Sequence, residues 1–158
     1  MQVSASSKQY KDLRSLCLKI ISFALNKYDG LEFGCDFWDT FFISVKPLID
    51  SFKQEGSSSE KPSSLFSCFL AMSRSPTLVS LLDREANLVP KIFSILIVRT
   101  ASDAIISSVL NFIENLLILD TESNNQEDDP IKRVFLPHLA VLIDCFHKLF
   151  QSRKEIHR

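Results

Sequence analysis

Three observations predict an all-α fold. Apolar residues recur at three- and four-residue steps through most of the chain, the signature of helices that bury one face. No segment alternates polar and apolar residues with period two, so no sheet is expected. Pro47, Pro90 and Pro137 sit inside helix-patterned apolar stretches, 43 and 47 residues apart. Both spacings fall in the roughly 40–47-residue period of repeats built from helix pairs. Each proline has an apolar residue at −2 (Val45, Leu88, Phe135), +2 (Ile49, Ile92, Leu139) and +5 (Phe52, Ile95, Leu142). Pro130, 40 residues after Pro90, lacks that register because Lys132 stands at its +2 position. Together these predict a HEAT/armadillo-like α-solenoid of about seven helices in antiparallel pairs.

The elements follow in order. Residues 8–28 read as a helix with Leu13, Leu16, Cys17, Ile20, Ile21, Ala24, Leu25 and Tyr28 as the buried stripe and Ser7 as N-cap. Its polar face carries Lys8, Lys11, Ser15, Lys19, Ser22 and Asn26, and Asp29-Gly30 supplies the stop. Residues 36–54 read as a second helix with a stripe of Trp38, Phe41, Phe42, Val45, Leu48, Ile49 and Phe52. Pro47 lies within it and predicts a kink rather than an end, at a cost of about 3 kcal/mol that packing must offset.

Residues 55–64 are serine-rich and read as a flexible loop. Within it Ser57 has Glu60 three residues on, the context of an acidic-directed kinase site. Leu65 to Met72 is a short helix, apolar almost throughout. Ser75-Pro76 pairs an N-cap with a proline at the first helical position and opens a short helix through Arg84. Asn87 or Leu88 opens the next, ending near Thr100. Ser102 and Asp103 cap a helix to Leu119 that is apolar over most of its girth, with Ser108, Asn111 and Asn115 as its polar strip. Residues 120–129 carry five carboxylates and no basic residue and read as a second flexible loop. Pro130 opens the last helix, to about Ser152, with Phe135, Leu139, Leu142, Phe146 and Leu149 as its stripe. Both end helices carry wide apolar stripes without the polar outer face of a capping repeat, so residues 1–158 read as an excerpt of a longer solenoid.

Composition narrows the function classes. The chain is 158 residues, 46% hydrophobic with 13 Phe, and has a net charge of −1. No global field draws it to nucleic acid or an anionic membrane, and no stretch approaches the ~18 uninterrupted apolar residues of a membrane span. The four cysteines (Cys17, Cys35, Cys68, Cys145) form no CxxC pair, which argues against zinc. Cys17 and Cys145 are expected to pack as small hydrophobes in a reducing compartment.

Catalytic chemistry finds little support. Cys145 and His147 are two apart on a helix and point to different faces. Asp144 and His147, three apart, are placed to touch. Asp36 and Asp39 suit the positive end of a helix dipole better than an acid–base pair. No phosphate-cradling glycine loop, HExxH or GxSxG occurs. The expectation is no enzyme, no cofactor, no metal and no small-molecule substrate. For nucleic acid, Lys8, Lys11 and Lys19 share a helix face with Arg14 beside it, and Arg153, Lys154 and Arg158 cluster at the far end. Such clusters are what phosphate contact needs.

Leu13 to Ile21, Asn26-Lys27-Tyr28, Phe37-Trp38-Asp39, Val45 to Ile49 and Lys61 to Phe66 together resemble the DRIM (down-regulated in metastasis) family, its plant members most. That family is the large HEAT-repeat component, number twenty in its series, of the small-subunit processome. The similarity runs from about Leu13 to Phe150. It implies a non-catalytic nucleolar scaffold, in the nucleus, supporting maturation of small-subunit ribosomal RNA. The implied partners are other ribosome-assembly proteins and pre-ribosomal RNA, with no membrane. No catalytic or RNA-contact residue carries over. The alternative reading is a HEAT-type protein–protein adaptor for transport or signalling with no RNA role.

Overall fold

A computed structural model describes residues 3–28, 33–52, 60–122 and 130–156, with the side chains of 3–7, 130 and 152–156 excepted. The Asp29-Gly30 stop, residues 53–54 at the end of the expected second helix, residues 55–59 and 123–129 of the two expected loops, Ser57 among them, and Arg158 lie outside the described residues. Among the described residues there is no strand: helices are joined by turns and short extended stretches. The α-helices are α1 Val3–Lys27, α2 Cys35–Asp50, α3 Ser64–Arg74, α4 Leu88–Ser94, α5 Asp103–Glu122, α6 Pro130–Phe135 and α7 Leu139–Ile156. Single 3-10 turns occupy Val79–Asp83, Ile95–Ile97 and Leu136–His138.

Helix starts follow side-chain chemistry. The Ser63 hydroxyl accepts from Phe66 N at 3.2 Å and caps α3; Ser102 does the same for α5 through Ile105 N at 3.3 Å. Ser75 accepts from Leu78 N at 3.3 Å as expected, but the segment it opens is the 3-10 turn Val79–Asp83. The first helix begins four residues before the expected Ser7 cap, and α5 runs three residues past Leu119.

The helices stack in two layers. In one, α1 lies beside α3, α3 beside α5 and α5 beside α6; in the other, α2 lies beside α4 and α4 beside α7. Through α5 each helix meets its neighbour-but-one, the arrangement of a solenoid-like helical stack. The three prolines do not mark equivalent places in it. Pro47 lies in the last turn of α2, which continues to Asp50. Pro90 lies in the first turn of α4, where its missing N–H has no intrahelical partner to lose. Pro137 sits in the 3-10 turn between α6 and α7, so the expected last helix is two helices.

The core joins the layers. Rings run in sequence from Phe41 to Phe42, Phe69, Phe52, Phe66 and Phe112, with successive centroids 5.3–6.5 Å apart. Burial of such rings is the largest single contribution a side chain of this chain makes to folding. One polar link crosses this core: Asn115 donates to the Ser73 hydroxyl at 3.0 Å, and that hydroxyl donates to Leu70 O at 2.6 Å. Asn115 therefore turns the C-terminal end of the predicted polar strip of α5 toward α3. Arg84 pairs with Asp39, and Lys91 reaches Asp50 at 2.9 Å. By length and composition α5 and residues 131–151 would suffice to cross a bilayer, but Val109, Phe112 and Leu116 of α5 are fully buried within the protein.

The main departure from expectation is the register of α1. The side chains it buries are Leu18, Ser22 and Leu25. Leu13, Leu16, Ile20 and Phe23 are 54–62% exposed. The face expected to be solvated is turned partly toward α3: Asn26 accepts from Arg74, and Cys68 donates to Leu18 O at 3.3 Å. Cys17, expected in the core, is exposed, as is Cys35, while Cys68 and Cys145 are buried. A helix apolar over more than half its girth needs two neighbours to bury it. Among the described residues, α3 alone packs closely against α1.

Candidate nucleic-acid interface and the groove beside it

Leu18 is the first buried side chain of α1 among the described residues, and a recess lies on each side of the helix there. On one side, Lys11, Arg14 and Ser15 of α1 face Ser63 and Ser64 at the start of α3, across a cleft of ≈ 310 Å³ floored by Leu18 and Leu48. A helix start carries unsatisfied backbone N–H groups and partial positive charge. Ser63 already satisfies one of these by capping Phe66. The cleft therefore combines two cationic side chains, serine hydroxyls and a positive helix end, a setting that favours anions.

Of the residues singled out from sequence, Lys8, Lys11 and Lys19 are all exposed on α1. Lys11 alone of the three lines the cleft; Lys8 and Lys19 flank it along the same helix. Arg14 is half-buried and lines both recesses, with its guanidinium 5.5 Å from the Tyr10 ring centroid. Arg153 and Lys154 fall in the last turns of α7, and their side chains lie outside the described residues. Ser63 and Ser64 were not singled out as site residues. Their signal was the capping position before Leu65-Phe66, which placed them at a helix start without showing what would face it.

On the other side, α1 and α2 stand apart over an apolar groove of ≈ 280 Å³. Leu13, Cys17 and Ile21 form one wall and Phe37, Phe41 and Val45 the other, and Tyr10, Arg14 and Leu18 of α1 also line it. No periodicity argument locates this groove, because it depends on the distance between two helices.

The residues considered for catalysis separate. Cys145 is buried and His147 exposed on α7. Asp144 pairs with Lys148 at 2.9 Å, the partner four residues on, rather than with His147. Asp39 is engaged by Arg84, while Asp36 remains in the first turn of α2. His138 is half-buried, and burial holds its imidazole below the usual histidine range, with Asp83 opposing that shift. Among the described residues no three side chains gather to hold a metal ion.

A family model described as U3 small nucleolar RNA-associated protein 20, N-terminal, matches residues 2–158. No curated protein and no solved structure matches the chain.

Proposed function

The chain belongs to the U3 small nucleolar RNA-associated protein 20 family, and from that premise we propose that it is a non-catalytic scaffold segment of the small-subunit processome. In this reading it acts in small-subunit ribosomal RNA processing and ribosome biogenesis, in the nucleolus. The observation that carries it is the family match over nearly the whole chain, in agreement with the phrases around Phe37-Trp38-Asp39 and Lys46-Pro47-Leu48. The two-layer helical stack supports a holding role, since such stacks present long continuous surfaces to partners.

Its partners on this reading are other ribosome-assembly proteins and pre-ribosomal RNA. The RNA contact we assign to Lys8, Lys11 and Lys19, with Arg14 and the start of α3 completing the patch. Arg153, Lys154 and Arg158 form a second, separate candidate. Lysine and arginine contacts to phosphate release counterions and make binding weaken with salt.

Two measurements test this. Purification of the tagged chain from cells should recover ribosome-assembly proteins together with precursor ribosomal RNA. Recovery of transport or signalling proteins without RNA would favour the adaptor reading instead. Filter binding of RNA across a salt series should show the Lys8→Glu, Lys11→Glu, Lys19→Glu triple variant losing retention. Its slope of log affinity against log salt should shrink by about 0.7 for each single-strand phosphate contact removed. An unchanged slope would remove that face as a phosphate site.

A further inference from the structure

We propose that the groove between α1 and α2 docks an acidic amphipathic helix of a partner protein. The groove follows α1 from Tyr10 to Ile21, about 16 Å or three helical turns. Its walls are two helices, whose backbone groups are internally paired, so nothing offers the unpaired edge that an extended strand would need. What it offers is an apolar channel between side-chain rows. A helix with apolar residues at i, i+3, i+4 and i+7 fills such a channel. The apolar surface continues outside it over Leu16, Ile20 and Phe23, all more than half exposed, which widens the landing area for the same apolar face.

Charge selects the occupant. Of the charged residues of α1, Lys8, Lys11, Arg14, Lys19 and Lys27 are basic and Asp12 alone is acidic. Arg14, the charged residue lining the groove, makes its contact with the Tyr10 ring, and none of the ion pairs among the described residues involves Arg14 or Lys11. Of the charges of α2, Asp39 pairs with Arg84 and Asp50 with Lys91, and neither these nor Asp36 and Lys46 line the groove. A glutamate or aspartate flanking the apolar row of an incoming helix would meet Arg14. The same charges oppose a second copy of this chain, because a two-fold contact would set one basic α1 against another. Residues 121–129 of the chain itself are acidic but contain no apolar residue to enter the channel. RNA lacks the apolar row as well.

The inference goes beyond the processome reading and does not depend on it. The test uses the whole chain and two fluorescein-labelled synthetic helices of about 18 residues, long enough to hold helical structure. Both carry leucine at i, i+3, i+4 and i+7; one is flanked by glutamate and the other by lysine. Fluorescence anisotropy should show the glutamate-flanked helix binding about tenfold or more tighter. Cys17→Trp, which fills the groove from an exposed position, should abolish that binding while circular dichroism and RNA retention stay unchanged. Arg14→Glu should reverse the preference between the two helices. Equal binding of both helices, or binding indifferent to Cys17→Trp, overturns the proposal. So does a dimer in sedimentation that Cys17→Trp dissolves, since the occupant is then a second copy, or RNA displacing the helix from the groove. Helix binding by an unsubstituted chain that retains no RNA would count against the proposed RNA contact alone.

Discussion

Cys68 shows how much one position depends on its neighbours. Its thiol is fully buried between α1 and α3, donates to Leu18 O, and burial pushes its pKa up from 9.0 to about 12. The folded chain holds this proton more tightly than the unfolded chain does. The stability that follows is complete below pH 9 and is lost as pH rises from about 9 toward 12. The midpoint of denaturant unfolding is expected to fall across that window, and Cys68→Ala is expected to flatten the fall. In the folded state at neutral pH, iodoacetamide should modify Cys17 and Cys35 quickly and Cys68 and Cys145 only on unfolding, read by mass spectrometry of peptides. Modification of Cys68 at the rate of Cys17 would contradict the packing of α1 on α3. Sequence spacing alone puts Cys17 in the core, where the fold leaves it exposed. Cys17 lies amid leucines and isoleucines yet is bare, because apolar neighbours along a helix do not say which of its sides receives a partner. At other positions local chemistry suffices. Ser63, Ser75 and Ser102 all act as caps, since a hydroxyl three residues before an orphan N–H needs no tertiary help.

Among the elements, α1 and α5 make the sharpest contrast. Both are long and apolar over much of their surface. Helix α5 is held by α3 on one side and by α6 and the Ile95–Ile97 turn on others, and Val109, Phe112 and Leu116 are fully buried. Helix α1 is held by a narrow seam of Leu18, Ser22 and Leu25, with nothing buried among the described side chains before Leu18. Local opening free energy follows buried contact. Amides of α1 ahead of Leu18 are therefore expected to exchange with deuterium orders of magnitude faster than those of α5 from Val109 to Leu116. Comparable protection in the two would contradict the narrow seam that holds α1 among the described residues. The prolines belong to this scale as well. Their shared flanking residues are real, but Pro47, Pro90 and Pro137 fall in a last turn, a first turn and a break. Apolar residues at −2, +2 and +5 serve any helix packed on one side, so that register reports helices and not their place in a repeat.

For the molecule as a whole, the two layers bury one continuous aromatic core and leave an apolar flank on α1. Patches of that kind mark interaction surfaces. The native chain is expected to bind the dye 8-anilinonaphthalene-1-sulfonate, and Leu16→Glu with Ile20→Glu should weaken that binding without loss of helix by circular dichroism. Undiminished dye fluorescence in the double variant would place the exposed apolar surface elsewhere. The all-α class, most helix positions, the serine caps and the family resemblance were all legible in the chain, because helix periodicity and capping are local and phrases survive in the primary sequence. The side of α1 that is buried, the break at Leu136–His138, the inward turn of Asn115 and the two recesses flanking Arg14 were decided by tertiary structure. Each depends on which helix stands next to which and how far away, and a single helix carries its own angular pattern of apolar residues but not the number or the bearing of the neighbours that will cover it.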